Sequence, residues 1–211
     1  LNNIAKKIGD NNMQVFLISK DFQETAKALD SKRLVKQNLE ARQILNTLTG
    51  KSEGWKNHPA VLAFKGYEKY LARYGLTINA ECIARGFKGS NTDFFNGIVL
   101  SNDYLDSEPD WLSNESIFAS HRGRLKCKGE LDVLCYSIKK ALKIKSINTW
   151  LKERYGKSKN QLKFVDIGIL LSFMEFHQIP KVTTNHYDRF TESAELEYVW
   201  PNKLLEEKRT K

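Results

Sequence analysis

Apolar residues recur at intervals of three and four positions along much of this chain, which is the period of an amphipathic α-helix. In the first half they fall on Leu34, Ala41, Leu45 and Leu48, and again on Ala60, Phe64, Tyr67, Leu71 and Tyr74. This spacing constrains the fold more than any other feature of the chain, because each such helix must bury its apolar face against another element. The sequence therefore predicts an all-α protein.

The glycines of the central region predict breaks between helices. Gly75 would separate the second helix from a short helix at 77–85, and Gly86 would end that short helix, because glycine tolerates the left-handed backbone past a helix end. Residues 86–109 are rich in Gly, Asn, Ser and Asp and have no sustained period. This composition predicts a long surface loop.

The second half of the chain changes character along its length. Ser113 is predicted to cap a helix whose shared face includes Ile117, His121 and Leu125. Beyond residue 128 the pattern changes to strongly basic helices. These are predicted at 131–144, at 146–155 ending at Gly156, and at 164–177 ending before Pro180.

The domain layout follows from these changes. We expect a compact helical domain formed by 13–128 and 187–201, interrupted by a basic helical insertion at 129–186. Residues 1–12 are expected to be a leader or linker, and residues 202–211 a charged tail that frays. Because Leu1 is not a native translation start, we expect the chain to be a fragment or a processed product.

Composition narrows the functional class. The chain has 211 residues, of which 41% are hydrophobic, enough to bury an ordinary core. No run approaches the roughly 18 apolar residues of a membrane helix, and the first twelve residues lack the apolar centre of a signal peptide. Three cysteines cannot all pair, and no Cys/His cluster has zinc spacing. We expect an intracellular protein of the cytoplasm, nucleoid or nucleus, monomeric, with reduced thiols and no metal, cofactor or membrane partner.

The positive charge is concentrated in one region. The formal net charge is +9, and between His121 and Lys163 there are thirteen Lys and Arg residues against three acidic ones. The rest of the chain is therefore close to neutral. A local excess of this kind attracts polyanions, although a solvated lysine-rich face is the alternative. Together with the motifs below, it predicts binding to nucleic acid phosphates.

Four short motifs follow one another in a particular order. They are Lys36-Gln37-Asn38-Leu39-Glu40, Trp55-Lys56-Asn57-His58-Pro59, Ala80 to Phe87, and Glu115 to Leu125. In this order and spacing they resemble the pyrimidine-dimer DNA glycosylase family, the endonuclease V-like enzymes of base-excision repair. The resemblance covers 13–128 together with 187–201. It implies a helical enzyme that binds double-stranded DNA, flips a damaged pyrimidine nucleotide and cleaves its N-glycosidic bond.

The resemblance also implies which residues act. In the family the nucleophile is the amine of the residue that follows the removed initiator methionine, which corresponds here to Gln14 after Met13. An α-amine suits this role because its pKa is far lower than that of lysine. Glu40 occupies the place of the essential glutamate, which would stabilise the developing charge and move protons. The alternative is an ordinary helix glutamate paired with a lysine.

The remaining predicted site residues would hold DNA. His58, at the start of the second helix, would donate to a phosphate or to the flipped nucleotide; alternatively, Asn57 caps that helix and His58 packs. For Tyr198 and Trp200, core packing is the alternative to stacking on the damaged strand. The predicted DNA-binding residues are Lys32, Arg33, Lys36, Gln37, Asn57, His121, Arg122, Arg124, Tyr198 and Trp200.

Several functional alternatives stay open at this stage. The nucleophile is the amine of a processed Gln14, a water molecule, or a lysine such as Lys20 or Lys36. The chain is a glycosylase with or without strand incision, a glycosylase for a modified base, or a non-catalytic DNA-binding protein on the same scaffold. The insertion is an accessory nucleic-acid module, or it is a lid or packing element.

Overall fold

The computed structural model describes residues 13–144, 146–159, 167–178, 185–194 and 198–200. The predicted leader at 1–12, the tail at 202–211 and the insertion segments 160–166 and 179–184 lie outside these residues. The described residues contain helices and turns but no strand, so the predicted all-α class is confirmed. In this part of the chain no helix combines the length and the apolarity that crossing a membrane requires.

The chain forms two compact units. The larger unit consists of residues 12–124 and 195–211, and the smaller unit of residues 1–11 and 125–194. The layout predicted from the sequence, with segment ends at 128 and 187, stays a prediction in that detail.

The larger unit is a helical assembly around two long helices. Its elements are α1 (Phe22–Ala28), α2 (Ser31–Leu48), α3 (Pro59–Ala63), α4 (Glu68–Ala84), α5 (Thr92–Leu100), a 3₁₀ turn (Asp110–Ser113) and the first part of α6 (Glu115–Ala141). Asp21 and Asp30 cap α1 and α2, because their side chains accept hydrogen bonds from backbone N–H groups of the first turn. Helices α2 and α4 pack on each other and bury Ile44, Leu71 and Ile78 between them and their neighbours.

Two predicted helix boundaries in this unit are corrected by the structure. The second predicted helix is divided, because α3 stops at Ala63 and the chain turns through Gly66 at φ 84° before α4 begins. Conversely, α4 continues through Gly75. A Cβ at that position would lie 2.5 Å from the Phe95 ring, so Gly75 is present because α5 packs closely on α4. The residue marks a close contact and does not break the helix.

The predicted loop at 86–109 is also corrected. It contains α5, whose Phe95 and Ile98 are buried against α4. Nine residues containing Asn and Gly have weak helix propensity, so this helix depends on tertiary packing that local sequence does not show. At the start of α6, Ser113 lies in the 3₁₀ turn, and the side chain of Asn114 accepts from Ser116 N at 3.0 Å. Asn114 therefore takes the capping position predicted for Ser113.

The smaller unit has its own apolar core. It contains the end of α6, α7 (Ile147–Tyr155) and α8 (Ile167–Phe176). Its buried residues are Ile138, Ala141, Leu142, Ile147, Trp150, Leu151, Leu170, Phe173 and Met174. The end of α7 at Gly156, with φ 61°, confirms the predicted boundary. Residues 164–166 of the last predicted helix lie outside the described residues.

The predicted start of a separate helix at 131 is wrong, because α6 is continuous from Glu115 to Ala141. Gly129 is buried where the side chain of Asn185 packs, and an added Cβ would lie 1.8 Å from Asn185 Oδ1. Asn185 also donates from Nδ2 to the carbonyl of Lys126 at 2.9 Å. The glycine thus admits a neighbouring side chain and does not end the helix.

Candidate active site

Glu40 lies on α2 and is buried in the larger unit, with 6% of its side chain exposed. Gln37 Nε2 donates to Glu40 Oε2 at 2.7 Å, and Lys36 Nζ lies 3.4 Å from Oε1. Gln37 and Lys36 lie three and four positions before Glu40, the separations at which helix side chains are neighbours. A negative charge in such a low-dielectric position interacts strongly with any positive charge that develops beside it.

Gln37 connects Glu40 to the extended segment that precedes α1. Its Nε2 also donates to the carbonyl of Gln14 at 2.6 Å, and its Oε1 accepts from Phe16 N at 2.9 Å. The hydroxyl of Tyr74 lies 2.8 Å from the same Oε1 and 3.0 Å from the carbonyl of Phe16. The Gln37 side-chain nitrogen therefore donates both to the backbone of Gln14 and to the carboxylate of Glu40.

Two tyrosines complete the surroundings of this carboxylate. Burial raises the pKa of the Tyr74 hydroxyl well above its usual range, and the nearby charge of Glu40 raises it further. Burial and the Glu40 charge likewise raise the pKa of Tyr198, whose hydroxyl donates to the carbonyl of Val15 at 2.7 Å. Both phenols are therefore neutral hydrogen-bond donors at physiological pH.

His121 lies inside the fold. Its side chain is almost wholly buried, its Nδ1 accepts from Leu17 N at 3.0 Å, and its ring stacks on Tyr198 at a centroid distance of 4.4 Å. Burial lowers the pKa of His121 to about 3. The ring is therefore neutral and anchors the N-terminal segment. His121 was predicted to contact DNA, but its side chain has almost no exposed surface with which to do so.

His58 begins α3. Its Nδ1 accepts from Ala60 N at 3.1 Å, so His58 itself is the capping residue, and Pro59 follows in the first turn. The alternative in which Asn57 caps this helix is therefore wrong. Burial lowers the pKa of His58, which keeps its imidazole neutral at physiological pH. Its ring meets Trp55 and Trp200 edge to face, at centroid distances of 5.3 and 5.6 Å.

An aromatic row joins His58 to the surroundings of Glu40. Trp200 contacts His58, Tyr198 lies 4.6 Å from Trp200 between ring centroids, and Tyr198 is the ring whose pKa responds to Glu40. A small cavity lies beside this row, and its lining is almost entirely apolar. It is lined by Phe64, Trp111, His121, Tyr198 and Trp200, among others.

The predicted DNA-binding cations fall into two groups. Arg33 is buried and pairs with Asp30, while Arg122 pairs with Glu115 at 2.9 Å and donates to the carbonyl of Ile18 at 2.6 Å. These two arginines hold the fold together. Of the whole predicted set, Lys32, Lys36 and Asn57 are exposed, and four more residues are partly exposed, namely Arg122, Arg124, Tyr198 and Trp200. Gln37, which is buried and bonded within the fold, supports the site and offers no surface to DNA.

Sequence reasoning did not identify Tyr74 or Trp55 as site residues. Tyr74 occupies an apolar helix position, and only the fold brings its hydroxyl to Gln37. Trp55 is 57% exposed and has a φ of 67°, an unusual conformation for a bulky residue. In the sequence, the only sign of Trp55 was its place in the motif that contains His58. In the structure, its exposed indole beside His58 is a candidate for contact with a base. Among the described residues, no group of three or more metal-binding side chains is found.

Comparison with known proteins confirms the family resemblance. The family model described as Pyrimidine dimer DNA glycosylase matches residues 13–94. This segment contains Gln14, Glu40 and His58 and ends within α5, so the network around Gln37 lies inside the matched region. No curated protein and no solved structure matches the chain.

Proposed function

We propose that this protein is a DNA glycosylase that binds duplex DNA, flips a damaged pyrimidine nucleotide and cleaves its N-glycosidic bond. The observation that carries the proposal is the buried carboxylate of Glu40, bonded through Gln37 to the backbone of Gln14 within the matched segment. The description of the family implies DNA glycosylase activity and a DNA substrate. Flipping is required because the reacting sugar carbon is inaccessible in a stacked duplex.

In this proposal Glu40 acts by electrostatic stabilisation. As the bond between the sugar and the base breaks, positive charge develops on the sugar ring. A carboxylate fixed by Gln37 in a buried position stabilises that charge without rearranging. Lys36, which is 46% exposed, balances the carboxylate in the free protein and is placed to move towards a DNA phosphate. The carboxylate also accepts and returns protons at the sugar.

Two nucleophiles are compatible with this arrangement. If the natural chain begins at Gln14, its neutral amine attacks the anomeric carbon, the base leaves, and an imine forms as the sugar ring opens. Loss of a proton from the neighbouring sugar carbon then breaks the strand on the 3′ side. If Gln14 is preceded by other residues, a water molecule attacks and the product is an intact abasic strand. Only the first route leaves an imine that borohydride reduces to a stable adduct.

Recognition of the lesion needs a surface for unpaired bases. Trp55 provides an exposed indole next to His58, at the end of the aromatic row that leads towards Glu40. Stacking on an aromatic ring tolerates any base, which suits a residue that replaces a lost neighbour in the duplex. In this proposal Trp55 supports the distorted strand while Glu40 acts on the flipped nucleotide.

The decisive assay is base release from an ultraviolet-irradiated duplex, carried out with and without borohydride. We expect release from the irradiated duplex and none from the unirradiated one, together with a trapped adduct if the intact mass shows that the chain begins at Gln14. Absence of both release and adduct with folded protein contradicts the proposal. Release from duplexes carrying modified bases, and not from the irradiated one, would assign the same chemistry to a modified base.

A non-catalytic DNA-binding protein is the second candidate. A chain that retains Met13, which is buried together with Gln14, has no free amine at Gln14, so only the water route would remain for catalysis. If the protein is non-catalytic, Glu40→Gln leaves DNA binding unchanged and no base is released from any duplex.

A further inference from the structure

The surface of the smaller unit carries an unusual excess of cations. Residues 139–159 contain eight lysines and arginines and one acidic residue, Glu153. Five of these cations are exposed in the described part of the chain, namely Lys140, Lys143, Lys152, Arg154 and Lys159. Among the described residues none of the five forms an ion pair with an acidic side chain. These cations therefore face solvent and can attract an anionic ligand.

Aromatic rings lie directly beside one of these cations, Arg154. The guanidinium of Arg154 lies 4.8 Å from the centre of the Phe176 ring and 5.5 Å from that of Trp150. Phe176 is 58% exposed and Tyr155 41% exposed. Tyr155 also lies 5.4 Å from Trp150 between ring centroids. We call the group formed by Arg154, Tyr155 and Phe176 around Trp150 the basic aromatic face.

This face is supported by a packed core. Trp150 is almost fully buried and contacts Phe173 at a ring distance of 5.1 Å, beneath the exposed rings. Tyr155 and Phe176 therefore stand on a fixed base.

We propose that the basic aromatic face binds a single-stranded segment of nucleic acid. Cations hold the phosphates of a flexible strand, and exposed rings stack on its unpaired bases. A duplex uses only the cations, because its bases are already stacked on one another. The rings therefore favour single strands over duplex as the ligand. This proposal concerns the smaller unit and does not rest on the glycosylase activity proposed for the larger one.

The test measures binding of the full chain to a fluorescent oligothymidylate and to a fluorescent undamaged duplex. The variants are Tyr155→Ala and Phe176→Ala, whose exposed side chains contribute little to the core. Tyr136→Ala is the matched control, since Tyr136 is a 60% exposed tyrosine of the same unit without ring contacts to this face among the described residues. Circular dichroism verifies that each variant is folded.

We expect each ring variant to bind oligothymidylate at least about fivefold more weakly, with duplex binding changed less than about twofold. The control should bind both ligands as the unaltered protein does. Arg154→Gln should lower the slope of log affinity against log salt concentration by about 0.7 for the single strand. Base release from irradiated duplex should not change in the ring variants.

Three results would overturn the proposal. Unchanged affinity for oligothymidylate in both folded ring variants would show that the rings do not bind bases. Equal weakening for single strand and duplex would make this face a duplex-backbone contact. Ring-dependent binding to vesicles of phosphatidylserine and phosphatidylcholine, without binding to oligothymidylate, would make the ligand a membrane surface. Failure of base release in the unaltered protein bears only on the larger unit and leaves this test intact.

Discussion

Replacement of Gln37 by methionine tests how the site is held together. Methionine has a similar length and no branching, so it fills the space of the amide without its hydrogen bonds. Gln37 is 1% exposed, and its amide is bonded to Gln14, Phe16, Glu40 and Tyr74. The substitution therefore removes four partners at once with little change in packing.

The size of the effect follows from which partners are left without a bond. Phe16 N–H and the Gln14 carbonyl both lose the bond to Gln37, and each buried unsatisfied group costs about 1–3 kcal/mol. Glu40 keeps Lys36, and Tyr74 keeps the Phe16 carbonyl at 3.0 Å. We therefore expect the free energy of unfolding to fall by about 3–5 kcal/mol, a large part of the stability of an ordinary domain.

The measurement is urea unfolding followed by tryptophan fluorescence, with amide hydrogen exchange on the peptide that contains Phe16. Gln43→Met is the matched control, because Gln43 lies on the same helix and is exposed. We expect the control to change stability by less than about 0.5 kcal/mol. If Gln37→Met is as stable as the control and Phe16 N–H stays protected from exchange, the amide does not hold the N-terminal segment to α2.

Three further predictions follow from named contacts. Burial lowers the pKa of His121 to about 3, so as the pH falls below about 6.5 the unfolded chain binds a proton at this histidine before the folded chain does. Between pH 7 and 4.5 the unaltered protein should therefore lose roughly 2–3 kcal/mol more stability than His121→Gln. Parallel curves of unfolding free energy against pH for the two proteins would contradict this. Gly75→Ala should destabilise the protein by about 1–3 kcal/mol through contact with Phe95, whereas Gly97→Ala, in open space on α5, should stabilise it by about 0.5–1 kcal/mol; thermal unfolding distinguishes the signs. Trp55→Ala should slow base release from irradiated duplex at least about fivefold without lowering the melting temperature, and an unchanged rate would remove its stacking role.

Helical periodicity predicted the long elements because their burial follows from local spacing. The face that contains Leu34, Ala41 and Leu45 is the buried face of α2, and Gly156 ends α7 as expected. The errors occurred where a distant residue decides the local structure. Gly75 was predicted to separate two helices and a new helix was predicted after Gly129, but each glycine admits a side chain from a remote segment, Phe95 in one case and Asn185 in the other.

The same distinction applies to the candidate site. Glu40 and His58 were selected because short motifs contain them, and the family match includes both. The bonds of Gln37 to Phe16 and Tyr74 join residues 21 and 37 positions away, so no local pattern predicts them. The burial of His121 was equally hidden, because a histidine at the edge of a helix has the same sequence pattern whether it faces DNA or the core.

The central claim is that the buried carboxylate of Glu40 carries the chemistry. Its most direct test is the single-turnover rate of base release from irradiated duplex by Glu40→Gln, which keeps the size of the side chain and removes its charge. Glu24→Gln is the control, because Glu24 is an exposed helix glutamate of the same unit. We predict a rate at least about a hundredfold lower for Glu40→Gln, with unchanged binding and folding, and no change for the control. A Glu40→Gln variant that releases bases as fast as the unaltered protein would contradict the account.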